Sequence, residues 1–485
     1  MAYKHGVYVS EVPTSIIPPA RTTAGLPFVI GTAPINLADV TNVNKPVLCS
    51  TYQEAVEAFG YSDDWANYTL CEFIYSHFVL FNVSPVVLVN VLDPATHKTS
   101  KTDESYTFSA TVQAVKLQNK GVLLNTVVAK STSDPAKTYV LGTDYTLGFD
   151  KDGYAVITRL SGGTIGATSG IKVSYSYLTP SLVIASDIIG GVDTTTGDYK
   201  GLELVDKVFP KFGLVPGMIL APGWSSAPEV AAVMAAKASN INAHFKCIAL
   251  VDVPTDTVKK YSDVSEWKNQ NNFISERQIV CWPKIKLGTK EFHLSTQLAG
   301  VMCKADSGNG DVPCISPSNK PIQADGAVAN GKEVALGPEQ AAYLNGQGIV
   351  TALNFNGGWK AWGNRTGAYP SVTDVKDTFT VIRRMLDWIG NTLVLTFWQK
   401  VDYPITRRLV DTIVDSVNIW LHGLAEGKES ILGGRIEFHR DENPTTDLID
   451  GIICFHVYAT PPGPAREIDF IVEYDPQYLG TLFSS

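Results

Sequence analysis

The stretch APGWSS, Ala221 to Ser226, follows an apolar run at Met218–Ala221. It places Trp224 and Ser225 just past the carboxyl end of an expected strand, where α/β enzymes hold active groups. The plainer reading is a turn into a helix, with Ser226 as N-cap and Glu229, three residues on, completing a capping box. A serine nucleophile in this setting needs the G-x-S-x-G turn, and SGNG at Ser307 lacks the leading glycine. Glu437, His439 and Asp441 alternate along EFHRDEN and would offer three metal donors from one strand face. That run ends in a turn at Asn443-Pro444, as a solvated strand end does. None of the eight histidines forms H-x-x-x-H or H-x-H. There is no G-x-x-x-x-G-K-[ST], and no G-x-G-x-x-G between a strand and a helix. Asp63-Asp64 and Asp441-Glu442 are adjacent pairs, so regular elements point their carboxylates apart. Arg383-Arg384, Arg407-Arg408 and Lys428 read as solvated helix faces that an acidic partner could meet. No catalytic residue, metal or cofactor is expected, which favours a structural role over catalysis.

The elements that would position such groups follow from hydrophobic periodicity. With 45% hydrophobic and 18% charged residues the chain of 485 residues is globular, and its length suggests about three domains. A net charge of −9 argues against general affinity for nucleic acid or an anionic membrane. The seven cysteines lie scattered, mostly in apolar runs, with no CxxC pair, and are expected to be reduced and buried. MAYKHGVYVSEVP has no apolar run, so no signal peptide is expected, and no apolar stretch reaches the ~20 residues of a membrane span.

PFVIGTAP and SPVVLVNVLD read as buried strands, with TYQEAVEAFG, ended by Gly60, and ANYTLCEFIYSHFVLF as helices between them. From about Thr99 to Thr179 the texture changes to short alternating runs with a hairpin signal at Asp152-Gly153. Strands alternating with helices then resume (GMILAPGW, SAPEVAAVMAAKASNI, FKCIALVDVP, RQIVCWPKIKL, STQLAGVMCKADS), which favours a largely parallel sheet. Gly308 to Gly337 reads as a long loop. From Gly346 onward come a strand with a polar loop, two helices, and two strands at ILGGRIEFHRDENP and GIICFHVYAT. Phe379, Ile382, Met385, Leu386 and Ile389 form the apolar stripe of the first helix.

Both ends carry a strand-like stretch tethered by a proline-rich spacer. GVYVSEV, Gly6 to Val12, precedes PTSIIPPARTTAG, and PPGP precedes a run in which Ile468, Phe470, Val472 and Tyr474 fall on every second residue. The expected fold is α/β and α+β multidomain: an N-terminal arm at 1–25, an α/β core at 26–98 and 181–345, and an inserted β-sandwich-like domain at 99–180. A C-terminal α+β domain at 346–464 and a C-terminal arm at 465–485 complete it.

GVYVSEVP with its proline-bearing linker and FVIGTAP resembles the start of contractile phage-tail sheath proteins. WKAWGNRT, Trp359 to Thr366, resembles their W-G-x-R-T motif through Trp359, Trp362, Gly363, Arg365 and Thr366. RRMLDWIGNTL, ILGGRIEFHRDENP and GIICFHVYATPPGPAREIDFIVEY follow the family's C-terminal order, so the resemblance covers the first 35 residues and roughly the last 140. It implies that the arms donate strands to a sheet in neighbouring subunits, through Val7, Tyr8, Val9 and Ser10 at one end and Ile468, Phe470, Val472 and Tyr474 at the other. It further implies a helical polymer around a tail tube that contracts to drive the tube through the host envelope, with no enzymatic activity. The implied partners are other copies of the chain, the tail tube protein, and baseplate and tail terminator proteins, without direct nucleic-acid binding or membrane insertion. The implied location is the virion, after assembly in the bacterial cytoplasm. The loop at Lys428 and Glu429 is the expected tube or lateral contact, and Trp362 and Arg365 are expected to pack within the C-terminal domain. The rival readings are a hydrolase-like α/β enzyme with a β accessory domain, and another phage-like particle component such as a bacteriocin sheath or a baseplate protein.

Overall fold

The computed structural model of the protein describes residues 20–21, 24–427 and 429–483. Val7, Tyr8, Val9, Ser10 and Lys428 lie outside the described residues. The central layer is a nine-stranded sheet. Its labelled strands are β1 (Pro27–Gly31), β2 (Val47–Cys49), β3 (Val86–Asn90), β4 (Met218–Leu220), β5 (Ile248–Asp252), β6 (Gln278–Cys281), β7 (Ile349–Asn354) and β8 (Trp359–Trp362). In space they run Lys320–Pro321, β8, β7, β6, β5, β4, β1, β3, β2. From β7 to β3 all neighbours are parallel; the outer pairings are antiparallel. Every residue of β1, β3, β4, β5 and β6 is buried. Strands covered on both faces need unbroken apolar runs, and the sequence supplies them.

Helices α1 (Tyr52–Phe59), α2 (Thr69–Ile74), α3 (Pro228–Ser239) and α4 (Leu294–Gly308) pack into the same apolar core. The Thr51 hydroxyl caps α1 by accepting from the Glu54 N–H at 3.1 Å, while Glu54 Oε2 accepts from the Ser50 N–H at 2.7 Å. Gly60 ends α1 at φ +75°, and a Cβ there would lie 2.5 Å from the Pro34 carbonyl oxygen. The helical pattern after α2 continues as a π-turn over Tyr75–Leu80. Ser226 is not the cap of α3. Pro228 takes the first helical position, which needs no N–H partner, and Ala227 is the cap residue without a side-chain bond.

Residues 98–178 form two three-stranded antiparallel sheets. They enclose a separate apolar cluster that includes Leu117, Ile157, Ile171 and Val173. The turn at Asp152-Gly153 works because Gly153 has φ +81° and Asp150 Oδ1 accepts from the Asp152 and Tyr154 N–H groups at 3.0 and 2.8 Å.

Two boundaries differ from the sequence reading. β7 and β8 belong to the nine-stranded sheet, so the C-terminal unit does not begin at 346. An apolar run announces a strand but not the sheet that receives it. The expected loop from Gly308 to Gly337 contains Gly326–Ala329, which joins Lys284–Leu287, Lys290–Phe292 and Lys332–Glu333 in a four-stranded sheet.

The C-terminal unit proper consists of α5 (Thr380–Phe397), α6 (Arg407–Glu426) and the antiparallel hairpin of β9 (Gly433–Glu437) and β10 (His456–Thr460). Met385, Ile389, Val417, Leu421, Ile431 and Ile436 make its core. Cys454 is exposed, unlike the five fully buried thiols, so the expectation of buried cysteines fails there. Among the described residues no helix is long and apolar enough to cross a membrane.

Candidate assembly surfaces

The β9–β10 hairpin is a sheet of two strands, in register from Gly433↔Thr460 to Glu437↔His456. One face rests on α6, where Asn418 Oδ1 accepts from the Ile436 N–H at 3.0 Å. Asn418 Nδ2 also donates to the Ile436 carbonyl at 3.5 Å, so the side chain meets the outer edge of β9 at that one residue. The outer edge of β10 has no strand partner among the described residues. Two strands alone are marginal in water, so this small sheet is short of neighbours.

Beyond Thr460 the chain leaves the unit without forming a strand. Residues 461–475 carry no regular structure. Ile468, Phe470, Val472 and Tyr474 are 69%, 86%, 92% and 78% exposed. The period of two is present, but among the described residues no strand pairs with it. A second exposed apolar group, Leu395, Trp398, Val401, Tyr403 and Ile405, lies at the connection between α5 and α6. Glu429 is exposed in the turn between α6 and β9, with φ +51°.

The WGNRT stretch joins the sheet to α5. Arg365 lies with its guanidinium carbon 3.7 Å from the Phe379 ring centre and 4.4 Å from that of Tyr369, and its Nη1 donates to Thr378 Oγ1 at 2.9 Å. The buried Thr366 hydroxyl donates to the Asp377 carbonyl at 2.6 Å. Backbone bonds Thr366 N to Thr378 O (2.9 Å) and Thr380 N to Asn364 O (3.0 Å) complete the seam. Gly363 has φ +140°, and a Cβ there would stand 2.6 Å from Asn345 Oδ1 and 3.0 Å from Val350 Cα. Trp359 and Trp362 sit half-buried in β8. These side chains pack and pair at the junction of core and C-terminal unit rather than inside the C-terminal unit alone.

The same junction holds residues that the sequence reading missed. Arg384, read as part of a solvated pair, is 5% exposed and makes a two-pronged ion pair with Asp306 of α4. Arg277 pairs with Asp387, which also accepts from Arg383 Nη2 at 2.9 Å. Burial pushes the Asp306 carboxyl up and Arg384 opposes that shift. The only sequence signal was the position of Arg384 between Ile382 and Met385 of the buried stripe.

APGWSS does not open an active site. Ser225 is buried, and its Oγ donates to Asp252 Oδ2 at 3.2 Å while accepting from the Asp252 N–H at 3.1 Å. The Ser295 N–H donates to Asp252 Oδ1 at 3.1 Å, and the Ser295 hydroxyl bonds the other oxygen. His293 turns to Glu72 instead, with Nδ1 2.8 Å from Oε2. Among the described residues no serine hydroxyl bonds a histidine ring, so the order nucleophile, base, orienter is not formed there. Burial raises the Asp252 pKa, with His293 and Ser295 opposing. Burial pulls His293 down, but the Glu72 charge and hydrogen bond outweigh it and leave its pKa raised. Glu437, His439 and Asp441 do not make a metal centre: among the described residues no cluster of three such side chains could hold an ion. Glu437 pairs with Arg435 and His439.

No family model matches the chain. It is 30% identical to the tail sheath protein of Burkholderia phage BcepMu, over 99% of this chain and 98% of that one. In fold it is similar to a chain of the anti-feeding prophage baseplate (13% identity, TM-score 0.59, covering 98% of this chain and 100% of that one). It is similar also to a chain of the contracted sheath complex of an extracellular contractile injection system (14% identity, TM-score 0.57, 98% and 99%).

Proposed function

Because this chain belongs to the contractile tail sheath family, we propose that its copies join by exchanging terminal strands and polymerise helically around a tail tube. The observation that carries this is the pairing of two unmet needs. Among the described residues the β9–β10 hairpin has no further strand neighbour, and an exposed apolar segment of strand period lies outside it. A donor strand of a neighbour adds to the open β10 edge; the β9 edge is met at Ile436 by Asn418 and is the harder to extend. Backbone hydrogen bonds supply the join, and alternate side chains from Ile468 to Tyr474 fill pockets on the receiving subunit. Val7, Tyr8, Val9 and Ser10 do the same from the other end.

Donor and acceptor surfaces differ, so the contact is heterologous and propagates instead of closing. The proline-rich spacers let a subunit rotate while its strands stay paired. In this reading the extended polymer is metastable, and a trigger at the baseplate starts a wave of rigid-body rearrangement that drives the tube through the host envelope. The subunit needs no enzymatic activity. The inserted domain, residues 98–178, lies on the outer surface; the C-terminal unit lies nearer the tube, with Lys428 and Glu429 among its contacts. Tube, baseplate and terminator proteins are the partners, and the virion is the place of action.

Negative-stain microscopy of the full chain beside a version ending at Pro464 tests the reading. Hollow striated polymers from the full chain, and only soluble monomers from the shortened one, are expected. Monodisperse monomers from both would sink it.

A further inference from the structure

Where the C-terminal arm leaves its unit, Pro464 to Arg466 close one side of a cleft of about 540 Å³. Trp362 to Arg365 of the WGNRT stretch also line it, and Ser318 and Asn345 add polar groups. Two guanidinium groups, those of Arg365 and Arg466, line this one cleft. Arg384, Arg277 and Arg383 are each matched to an aspartate. Arg365 is not: among the described residues no carboxylate oxygen lies within 4.0 Å of its nitrogens. Its flat faces meet Phe379 and Tyr369, and one in-plane N–H is taken by Thr378. A guanidinium carries five N–H donors in a rigid fork, so most of its in-plane capacity remains. The acid beside Arg466 is its chain neighbour Glu467, at 2.7 Å, with both side chains well exposed. Burial lowers the Arg365 pKa and the charge of Arg466 adds to that, as expected for two cations sharing a pocket. Such a site is complete only when an anion enters it, and the fork geometry matches a carboxylate.

We propose that this cleft is a carboxylate site that receives an Asp or Glu side chain from a second copy of the chain and so fixes the root of the arm. This rests on the assembly reading above. The place is what selects a second copy over a dissolved anion: the cleft lies at the base of the segment that passes between copies. The chemistry agrees. Asp469, Glu473 and Asp475 are exposed along the arm and alternate with Ile468, Phe470, Val472 and Tyr474, so on becoming a strand the arm would turn its acids to the other face. With 48 acidic residues against 39 basic ones, carboxylates are the more abundant charge a neighbour can present. A strand held at both its apolar face and its root resists being pulled out when subunits rotate.

The test uses Arg466→Lys in the full chain. Isotope-labelled and unlabelled chains are mixed, polymerised and treated with a carbodiimide, which joins an amine to a carboxylate only in direct contact. Mass spectrometry then reads whether position 466 is linked within one chain or between two. A mixed-isotope link from 466 to an Asp or Glu of another copy is the expected result. Polymers in which 466 is linked only to Glu467 of its own chain, or not at all, overturn the inference and leave the assembly reading standing. A wild-type chain that never polymerises overturns both. As a second measurement, Arg466→Ala and Arg466→Glu are compared for the concentration at which polymers appear. An increase of about tenfold for the charge reversal is expected, a ratio equal to 1.4 kcal/mol. If inorganic phosphate raises the melting temperature of the wild-type monomer but not of Arg466→Ala, and no link between chains forms, the cleft takes a free anion and the second copy is the wrong occupant.

Discussion

In the nine-stranded sheet the outermost strands are two and three residues long, Lys320–Pro321 on one side and β2 on the other, and every strand between them has two neighbours. In the β9–β10 hairpin each five-residue strand has one. Short edge strands and proline are how a sheet avoids recruiting foreign strands. The core uses both devices, with Pro321 in the strand at its rim. The hairpin uses neither along β10. The difference separates two kinds of stability within one chain. The strands of the core find their neighbours within the chain. The hairpin and the arm lack such partners among the described residues, and the proposed strand exchange would supply both from another copy.

The sharpest way to break this comparison is to change the arm without touching the fold. Phe470→Asp with Val472→Asp places two charges where a receiving sheet must bury apolar side chains. Both positions are more than four-fifths exposed in the single chain. The melting temperature of the monomer should therefore stay where it is, since exposed substitutions usually lie within ±0.5 kcal/mol. Polymers, read by sedimentation, should be lost altogether. A variant that still polymerises would show that the arm is not the donor.

The converse change should weaken the fold of the chain and leave the surfaces offered to other copies untouched. Asp306→Ala leaves Arg384 buried without its partner, and breaking a buried pair in this way costs about 3–5 kcal/mol. Urea unfolding followed by tryptophan fluorescence should show the loss in the transition that reports Trp388 and Trp420, whose rings lie 5.7 Å apart beneath the hairpin unit. A loss under about 1 kcal/mol would mean that packing and the Arg277–Asp387 pair hold α5 to the core, and that the Asp306–Arg384 pair contributes little.

How much of this was legible depended on whether the deciding partner was near in sequence. PFVIG, VVLVN and IALVD announce buried parallel strands because both faces demand apolar residues, and they form them. The Asp152-Gly153 turn was equally local. The placement of β7 and β8 was not, since β7 is received by β6, far away in sequence, and β8 follows by pairing with β7. Arg384 looked solvated because its partner Asp306 stands 78 positions away. Ser226 looked like a cap until Pro228 took the first turn. The period of two from Ile468 to Tyr474 was plain in the sequence, but the β10 edge that the proposed exchange uses, without a strand partner among the described residues, was visible only in the fold. Arg365 was readable as a packed residue of a family motif; its unmatched charge beside Arg466 was not, because 100 residues of chain separate them.

The smallest expected effect concerns the interior of the closed region. Glu72 and His293 form an ion pair beneath the sheet, with Nδ1 2.8 Å from Oε2. For Glu72 burial raises the pKa, but His293 and further hydrogen bonds outweigh it, so the folded value lies below the ordinary 4.5. Its contribution to stability is present above pH 4.5 and is lost as the pH falls through that lower folded value. For His293 the folded value lies above the ordinary 6.5. Its contribution is fully present below 6.5 and is lost as the pH rises through the folded value. Between pH 4.5 and 6.5 both are in force. Asp252 runs the other way: burial raises its pKa, so ionising it above 3.8 weakens the fold. Lys284 works against the charge on His293. Both groups remain in a Glu72→Gln variant, so the difference between the two proteins isolates the pair. That difference should be greatest inside the window, on the order of 1 kcal/mol, and should shrink on both sides. Melting temperatures of the two monomers from pH 3.5 to 8.5, in steps of about half a unit, give it directly. A difference that stays level across the whole range would mean that the pair is held by hydrogen bonding without charge. The core would then lack the pH dependence that its geometry implies.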